Sequence, residues 1–131
     1  MISFVIPTLN EEKTIEDTLK SLSAFSGEKE IIISDGKSRD RTIEIAKRYT
    51  DKIVIHQGEK RQNIPQGRNA GADLATGEYI IFVDADVTIP NINDFLGRAK
   101  KYFGTDFASC FCICSLFIFV CSCDCDCDVF F

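Results

Sequence analysis

The stretch YIIFVDADVTI, residues 79–89, sets two aspartates one residue apart directly behind a run of apolar, strand-forming side chains. Two carboxylates that close repel each other unless a cation neutralises them. The body of the chain has no cysteine and only one distant histidine, so Asp84 and Asp86 form an oxygen-only donor pair. Such a pair suits Mg²⁺ or Mn²⁺ shared with phosphate oxygens. The competing reading is a pair of loop aspartates that cap the segment behind them.

Three more stretches carry side chains of the same kind. In PTLNEE, Pro7, Thr8, Asn10 and Glu11 follow an apolar run. Thr8 or Asn10 is expected to cap the next helix, and a helix N-terminus at that place is also a ready anion site. In SDGKSRDRT, Asp35 precedes a Gly36 turn and can accept a hydrogen bond from a nucleobase imide or a ribose hydroxyl; the alternative is a plain loop with Asp40 as a cap. In GRNAGADLATG, Gly67 and Gly71 flank Arg68 and suggest close backbone approach. Arg68 is suited to a diphosphate or, more simply, to an acidic neighbour in a surface ion pair. His56 is the only histidine, so neither a Ser-His-Asp triad nor a site needing two histidines can be built, and it reads as a structural or surface residue.

These residues need a scaffold that brings them to one edge. ISFVI, EIIIS, KIVIH and YIIFV, starting at Ile2, Glu30, Lys52 and Tyr79, are apolar on both faces, as strands of a parallel sheet covered on both sides are. Helical periodicity lies between them: Ile15, Leu19 and Leu22 share one face, with Glu11 and Glu12 in the first turn; Ile43, Ala46 and Tyr49 share another behind Asp40. Ala70 and Leu74 make a third face, ended by Gly77, and a fourth helix is expected over 93–103. The alternation predicts an α/β fold, an open and mostly parallel sheet with helices on both faces, in strand order 3-2-1-4. Ligands in such sheets sit beyond the carboxyl ends of the strands, at the switch between the first and the fourth, so the residues after Ile6, Ser34, His56 and Val83 are the candidates.

The chain has 131 residues, enough for one domain. All 15 basic residues lie at or before Lys101, and the first 104 residues carry 16 acidic side chains against them. A body so close to neutral offers no basic field for nucleic acid. All seven cysteines fall in the last 22 residues. A cysteine-free body without a signal peptide points to a cytoplasmic protein. The expected division is an α/β domain over 1–104 and an apolar, cysteine-rich tail over 105–131.

Taken together, FVIPTLNEEKTI, EIIISDGKSRDRT and GRNAGADLATGEYIIFVDAD resemble the nucleotide-binding half of the family 2 glycosyltransferases, which have the GT-A fold. The resemblance covers residues 1–104. It implies a nucleotide-diphospho-sugar donor (UDP-, GDP- or dTDP-linked), a divalent metal (Mn²⁺ or Mg²⁺), and sugar transfer with inversion to an acceptor such as a lipid or a polysaccharide. By motif, Asp84 and Asp86 would be the DXD pair on metal and diphosphate, Asp35 would contact the base, Pro7, Thr8 and Glu11 would line the nucleotide pocket, and Arg68 would lie near the pyrophosphate or ribose. Family members continue for well over another hundred residues, which supply the general base and the acceptor site. This chain is therefore expected to be a truncated, Rossmann-like half that binds the donor with weak or absent transfer. Two alternatives stand beside that reading. Asp-x-Asp-x-Thr from Asp84 to Thr88 also resembles the nucleophile motif of haloacid-dehalogenase-type phosphohydrolases, in which Asp84 would be phosphorylated and Asp86 would act as acid and base. The third possibility is a non-catalytic nucleotide-binding module.

The tail admits several readings. The uncharged run 107–123 is short for a membrane span and lacks a basic flank, although it keeps membrane association open. Cys121, Cys123, Cys125 and Cys127 alternate with other residues and can line one strand face for a soft metal. Loss of the family sequence at about Gly104, by truncation or a shifted reading frame, is the favoured reading. Such an end is an aggregation hazard unless it covers the sheet edge.

Overall fold

The computed structural model describes residues 1–103, 111–113 and 118–122. Its first strands are β1 (Ile2–Thr8), β2 (Lys29–Asp35), β3 (Ile53–Ile55) and β4 (Tyr79–Phe82), joined by helices α1 (Ile15–Ser23), α2 (Thr42–Ala46) and α3 (Ile64–Ala72). Helix α4 (Ile92–Phe103) follows, and then β5 (Phe111–Ile113) and β6 (Ile118–Ser122). The sheet order is β3-β2-β1-β4-β6-β5, so the expected 3-2-1-4 arrangement holds for the four parallel strands. β6 then pairs antiparallel with β4, from Tyr79↔Ser122 to Phe82↔Phe119, and this part of the tail covers the β4 edge. The four-cysteine metal reading and the membrane reading otherwise fall outside the described residues.

Helices pack on both faces, as the two-sided apolar strands require. On one face Phe4, Ile6, Ile31, Ile33, Ile81 and Val83 meet Ile15, Leu19 and Leu22 of α1, Ile45 and Ala46 of α2, and Phe95 and Leu96 of α4. On the other, Val5, Ile32 and Phe82 meet Ala72, the last residue of α3, and Ala75 just beyond it.

Two helix faces differ from expectation. In α2 the buried side is Thr42, Ile45 and Ala46, with Ile43 only half-buried. In α3 it is Gly67, Arg68 and Gly71, while Leu74 is 40% exposed. The cause in α3 is distance. A Cβ on Gly71 would lie 2.3 Å from Val5 Cγ1, so the helix backbone rests on the sheet where a larger side chain would hold it off. α3 starts at a capping box that periodicity did not reveal: the Asn63 side chain accepts from the Gln66 backbone N–H, and the Gln66 side chain accepts from the Asn63 backbone N–H.

Pro7 lies inside a central strand without breaking it. Val5 accepts from the Val83 N–H on the β4 side, and by alternation Pro7 faces the same side two residues on. β4 has ended by then, so the missing Pro7 N–H leaves no ladder bond unmade.

Candidate nucleotide and metal site

β1 and β2 end as a matched pair, with Thr8 opposite Asp35. The Thr8 hydroxyl donates to Asp35 Oδ1 at 2.8 Å, Ser38 Oγ donates to the same oxygen at 2.6 Å, and the Ser38 N–H donates to Oδ2 at 2.7 Å. Asp35 is fully buried, and these three donors satisfy its side-chain oxygens. It anchors the loop that turns at Gly36, and Gly36 rather than Asp35 faces the neighbouring cleft.

The loops after β1 and β2 are stitched together by side chains. Asn10, with φ of 56°, accepts from the Arg39 N–H through its side chain, and its own N–H donates to Ser38 Oγ. The Glu11 N–H donates to Thr42 Oγ1 at 2.8 Å, and the Glu12 N–H to Asp40 Oδ2 at 3.1 Å. Neither Thr8 nor Asn10 caps α1. That helix begins at Ile15, with Thr14 in the N-cap position and no side-chain capping bond, while Thr8 and Asn10 are committed to the second loop. Asp40 does serve its own helix, accepting from the Thr42 N–H and hydroxyl.

β4 ends at Phe82, and the Val83 N–H still bonds Val5 before the chain leaves the sheet at Asp84. Thr18 of α1 donates to the Ala85 carbonyl at 2.9 Å, and the Val87 N–H closes a turn onto the Asp84 carbonyl. Asp84 is half-buried and Asp86 exposed. Arg68 Nη2 reaches Asp84 Oδ1 at 3.4 Å, with the guanidinium 6.0 Å from the Phe82 ring centre. The surface ion pair considered for Arg68 is thus a part-buried one: Arg68 is 8% exposed, and the Asp84 side chain is 29% exposed. Burial pushes the Asp84 carboxyl above its ordinary pKa; Arg68 opposes that rise, and the negative charge of Asp86 adds to it.

A cleft of about 300 Å³ opens at this edge, lined by Pro7, Thr8, Glu11, Asp84 and Asp86 together with Gly36 and Gly67. Arg61, Gln62 and Asn63 line it too and were not singled out in the sequence. Their signal was available in the Asn63–Gln66 capping box beside Pro65, which marks 61–63 as the segment leading into a helix N-terminus at the ligand edge. His56 stays away from the cleft lining; its Nε2 lies 2.9 Å from the Lys60 carbonyl oxygen. A larger groove of about 540 Å³ lies at the opposite edge, walled by Ile2, Phe25, Tyr79, Phe95 and Leu96. Its lining is mainly apolar, with Glu28, Glu78 and Lys100 among its polar members.

The donor set fits a hard divalent cation. Among the described residues no group of three or more His, Cys, Asp or Glu side chains comes together, so Asp84 and Asp86 can fill only part of a coordination shell. Phosphate oxygens and water complete such a shell for Mg²⁺ or Mn²⁺.

A mainly parallel α/β sheet with a polar cleft at the β1/β4 switch has the arrangement in which open α/β folds take their ligands. Residues 3–121 match glycosyl transferase family 2, and the chain belongs to that family. It is 32% identical over 109 residues to a PGL/p-HBAD biosynthesis glycosyltransferase of Mycobacterium bovis, an alignment covering 79% of this chain and 42% of that protein. Among solved structures it resembles S. aureus TarS 1-349, with a TM-score of 0.64 and 30% identity over 78% of this chain and 32% of the other. It also resembles glucosyl-3-phosphoglycerate synthase from Mycobacterium tuberculosis in complex with Mn²⁺, UDP and glucosyl-3-phosphoglycerate, with a TM-score of 0.63 and 26% identity over 84% of this chain and 42% of the other. The chain spans less than half the length of each of these relatives.

Proposed function

We propose that this chain is the donor-binding part of an inverting glycosyltransferase: it holds a nucleotide-diphospho-sugar, with a divalent cation, in the cleft over β1 and β4. The observation that carries the reading is the convergence of Thr8, Glu11, Arg68, Asp84 and Asp86, from three separate stretches, on one strand edge. Asp84 and Asp86 would hold Mn²⁺ or Mg²⁺, which supplies positive charge to the departing diphosphate. Arg68 adds a guanidinium beside it, held next to Asp84 and Phe82 before any ligand arrives. Pro7, Thr8 and Glu11 shape the nucleotide end of the cleft. Asp35 lies behind that wall, where it holds Thr8 and Ser38; contact with the base would need the 35–38 loop to open.

Family membership favours sugar transfer over phosphoryl transfer to Asp84. The relative crystallised with Mn²⁺ and UDP supports a metal-assisted nucleotide site. The acceptor, a lipid or a polysaccharide in this reading, belongs with the part of the longer relatives that this chain does not span. A cytoplasmic location agrees with a nucleotide-sugar donor, and among the described residues no helix is long and apolar enough to cross a membrane.

Calorimetric titration with UDP, GDP and dTDP, each with Mn²⁺ and with chelator, tests the proposal. Metal-dependent binding of one nucleotide, lost in an Asp84→Ala, Asp86→Ala double variant, is the expected result. A folded chain that binds none of the three in either condition refutes it.

A further inference from the structure

We propose that Arg68 is the internal counter-ion of the metal-binding carboxylate, neutralising Asp84 while no cation is bound and turning to the donor's diphosphate when a cation takes Asp84. This rests on the donor-binding reading above and adds a coupling between cation and nucleotide that the site residues alone do not imply.

Three features support it. The contact from Arg68 Nη2 to Asp84 Oδ1 is 3.4 Å, longer than a tight charge-assisted hydrogen bond, so the pair is loose enough to exchange. The side chain is packed in along its length, with Arg68 only 8% exposed. Only its tip needs to reorient. Arg68 does not itself line the cleft, but its Nη2 touches Asp84, which does, so the tip lies one carboxylate away from the space a diphosphate would fill.

A divalent cation approaching Asp84 on its own meets a positive charge already placed there. Repulsion across about 5 Å, even with the full screening of water, weakens its binding by at least about tenfold. A diphosphate changes the balance because its oxygens can accept from both the cation and Arg68. Cation and nucleotide therefore assist one another, and the free cation binds poorly.

The test uses the whole 131-residue chain and Mn²⁺ alone, followed by the electron paramagnetic resonance signal of the free ion, in the wild type, Arg68→Gln and Arg68→Lys. Arg68→Gln is expected to bind Mn²⁺ on the order of tenfold tighter than the wild type, the reverse of what loss of a merely structural residue does. Arg68→Lys, which keeps the charge, stays near the wild type. Repeated with UDP and with GDP, the gain in Mn²⁺ affinity that the nucleotide confers shrinks in Arg68→Gln. Equal or weaker Mn²⁺ binding by a folded Arg68→Gln, or no Mn²⁺ binding by any of the three, overturns the proposal. Should Arg68→Gln not fold, Arg68→Met keeps apolar packing on Phe82 and carries the same expectation. A wild type that binds neither nucleotide counts against the donor-site reading, while the comparison with Mn²⁺ alone still decides the role of Arg68.

Discussion

Replacing Glu30 by Gln should weaken the fold from the edge opposite the cleft. Glu30 stands on β2, and its carboxylate gathers donors from three separate segments. Ser3 Oγ donates at 2.5 Å, the Thr76 N–H at 2.6 Å and the Gly77 N–H at 3.2 Å, and Lys52 Nζ makes an ion pair. Thr76 and Gly77 form the turn that feeds β4, so Glu30 fastens the strand that delivers Asp84 and Asp86 to its neighbours. Burial alone would raise the carboxyl pKa, but the bonds from Lys52, Ser3 and Thr76 overcome it and hold Glu30 down at about 2, against an ordinary 4.5. A depression of that size corresponds to roughly 3 kcal/mol of preference for the charged form in the folded state. The Glu30 side chain is only 9% exposed, but Lys52 is 44% exposed and its share is screened, so about 2 kcal/mol is expected at pH 7. The sign follows from the lowered pKa. The contribution is fully present above pH 4.5 and is lost as the pH falls towards 2. Urea denaturation of wild type and Glu30→Gln at stepped pH measures it. The two curves should differ by about 2 kcal/mol near neutrality and converge in acid. A constant difference from pH 7 to pH 3, or none at pH 7, would refute the reasoning.

Gly71→Ala puts a Cβ 2.3 Å from Val5 Cγ1, so α3 must lift off the sheet; a loss of about 1–3 kcal/mol is expected in the same denaturation assay. Thr8→Val removes one of the three donors to the buried Asp35 carboxylate and should cost about 1–3 kcal/mol, with weakened nucleotide binding by calorimetry because the cleft wall moves with it. Asp86→Asn touches an exposed side chain, so stability should stay within about 0.5 kcal/mol while metal-dependent nucleotide affinity falls at least about tenfold.

The strand order was readable because each strand is an uninterrupted apolar run bounded by polar turns, and a right-handed crossover leaves few ways to arrange four of them. Asp84 and Asp86 were readable for a related reason: polar residues directly behind such a run must emerge at the sheet edge. The helices were less legible. A search for apolar periodicity assumes that the inward face is the greasy one, and α3 defeats it by turning Gly67, Arg68 and Gly71 inward so that its backbone can touch Val5. Thr8 and Asn10 look like caps in sequence, yet each is claimed by a partner 27 to 29 residues away, Asp35 for one and Arg39 and Ser38 for the other. Local propensity cannot anticipate a bond made only once two loops meet. Arg61 and Gln62 are a different case: the Asn63–Gln66 capping box beside Pro65 marks where α3 begins, but a search for apolar periodicity passes over it.

The most direct measurement is amide chemical-shift mapping of the isotope-labelled chain with the best-binding nucleoside diphosphate and Mg²⁺. Changes should concentrate at Thr8, Gly36, Gln62, Gly67, Ala85 and Asp86 around the cleft and leave Phe25, Ser26 and Phe95 of the apolar groove unmoved. Shifts centred on the groove, or a pattern at the cleft that is the same with Mg²⁺ and with chelator, would contradict a metal-assisted donor site at Asp84 and Asp86.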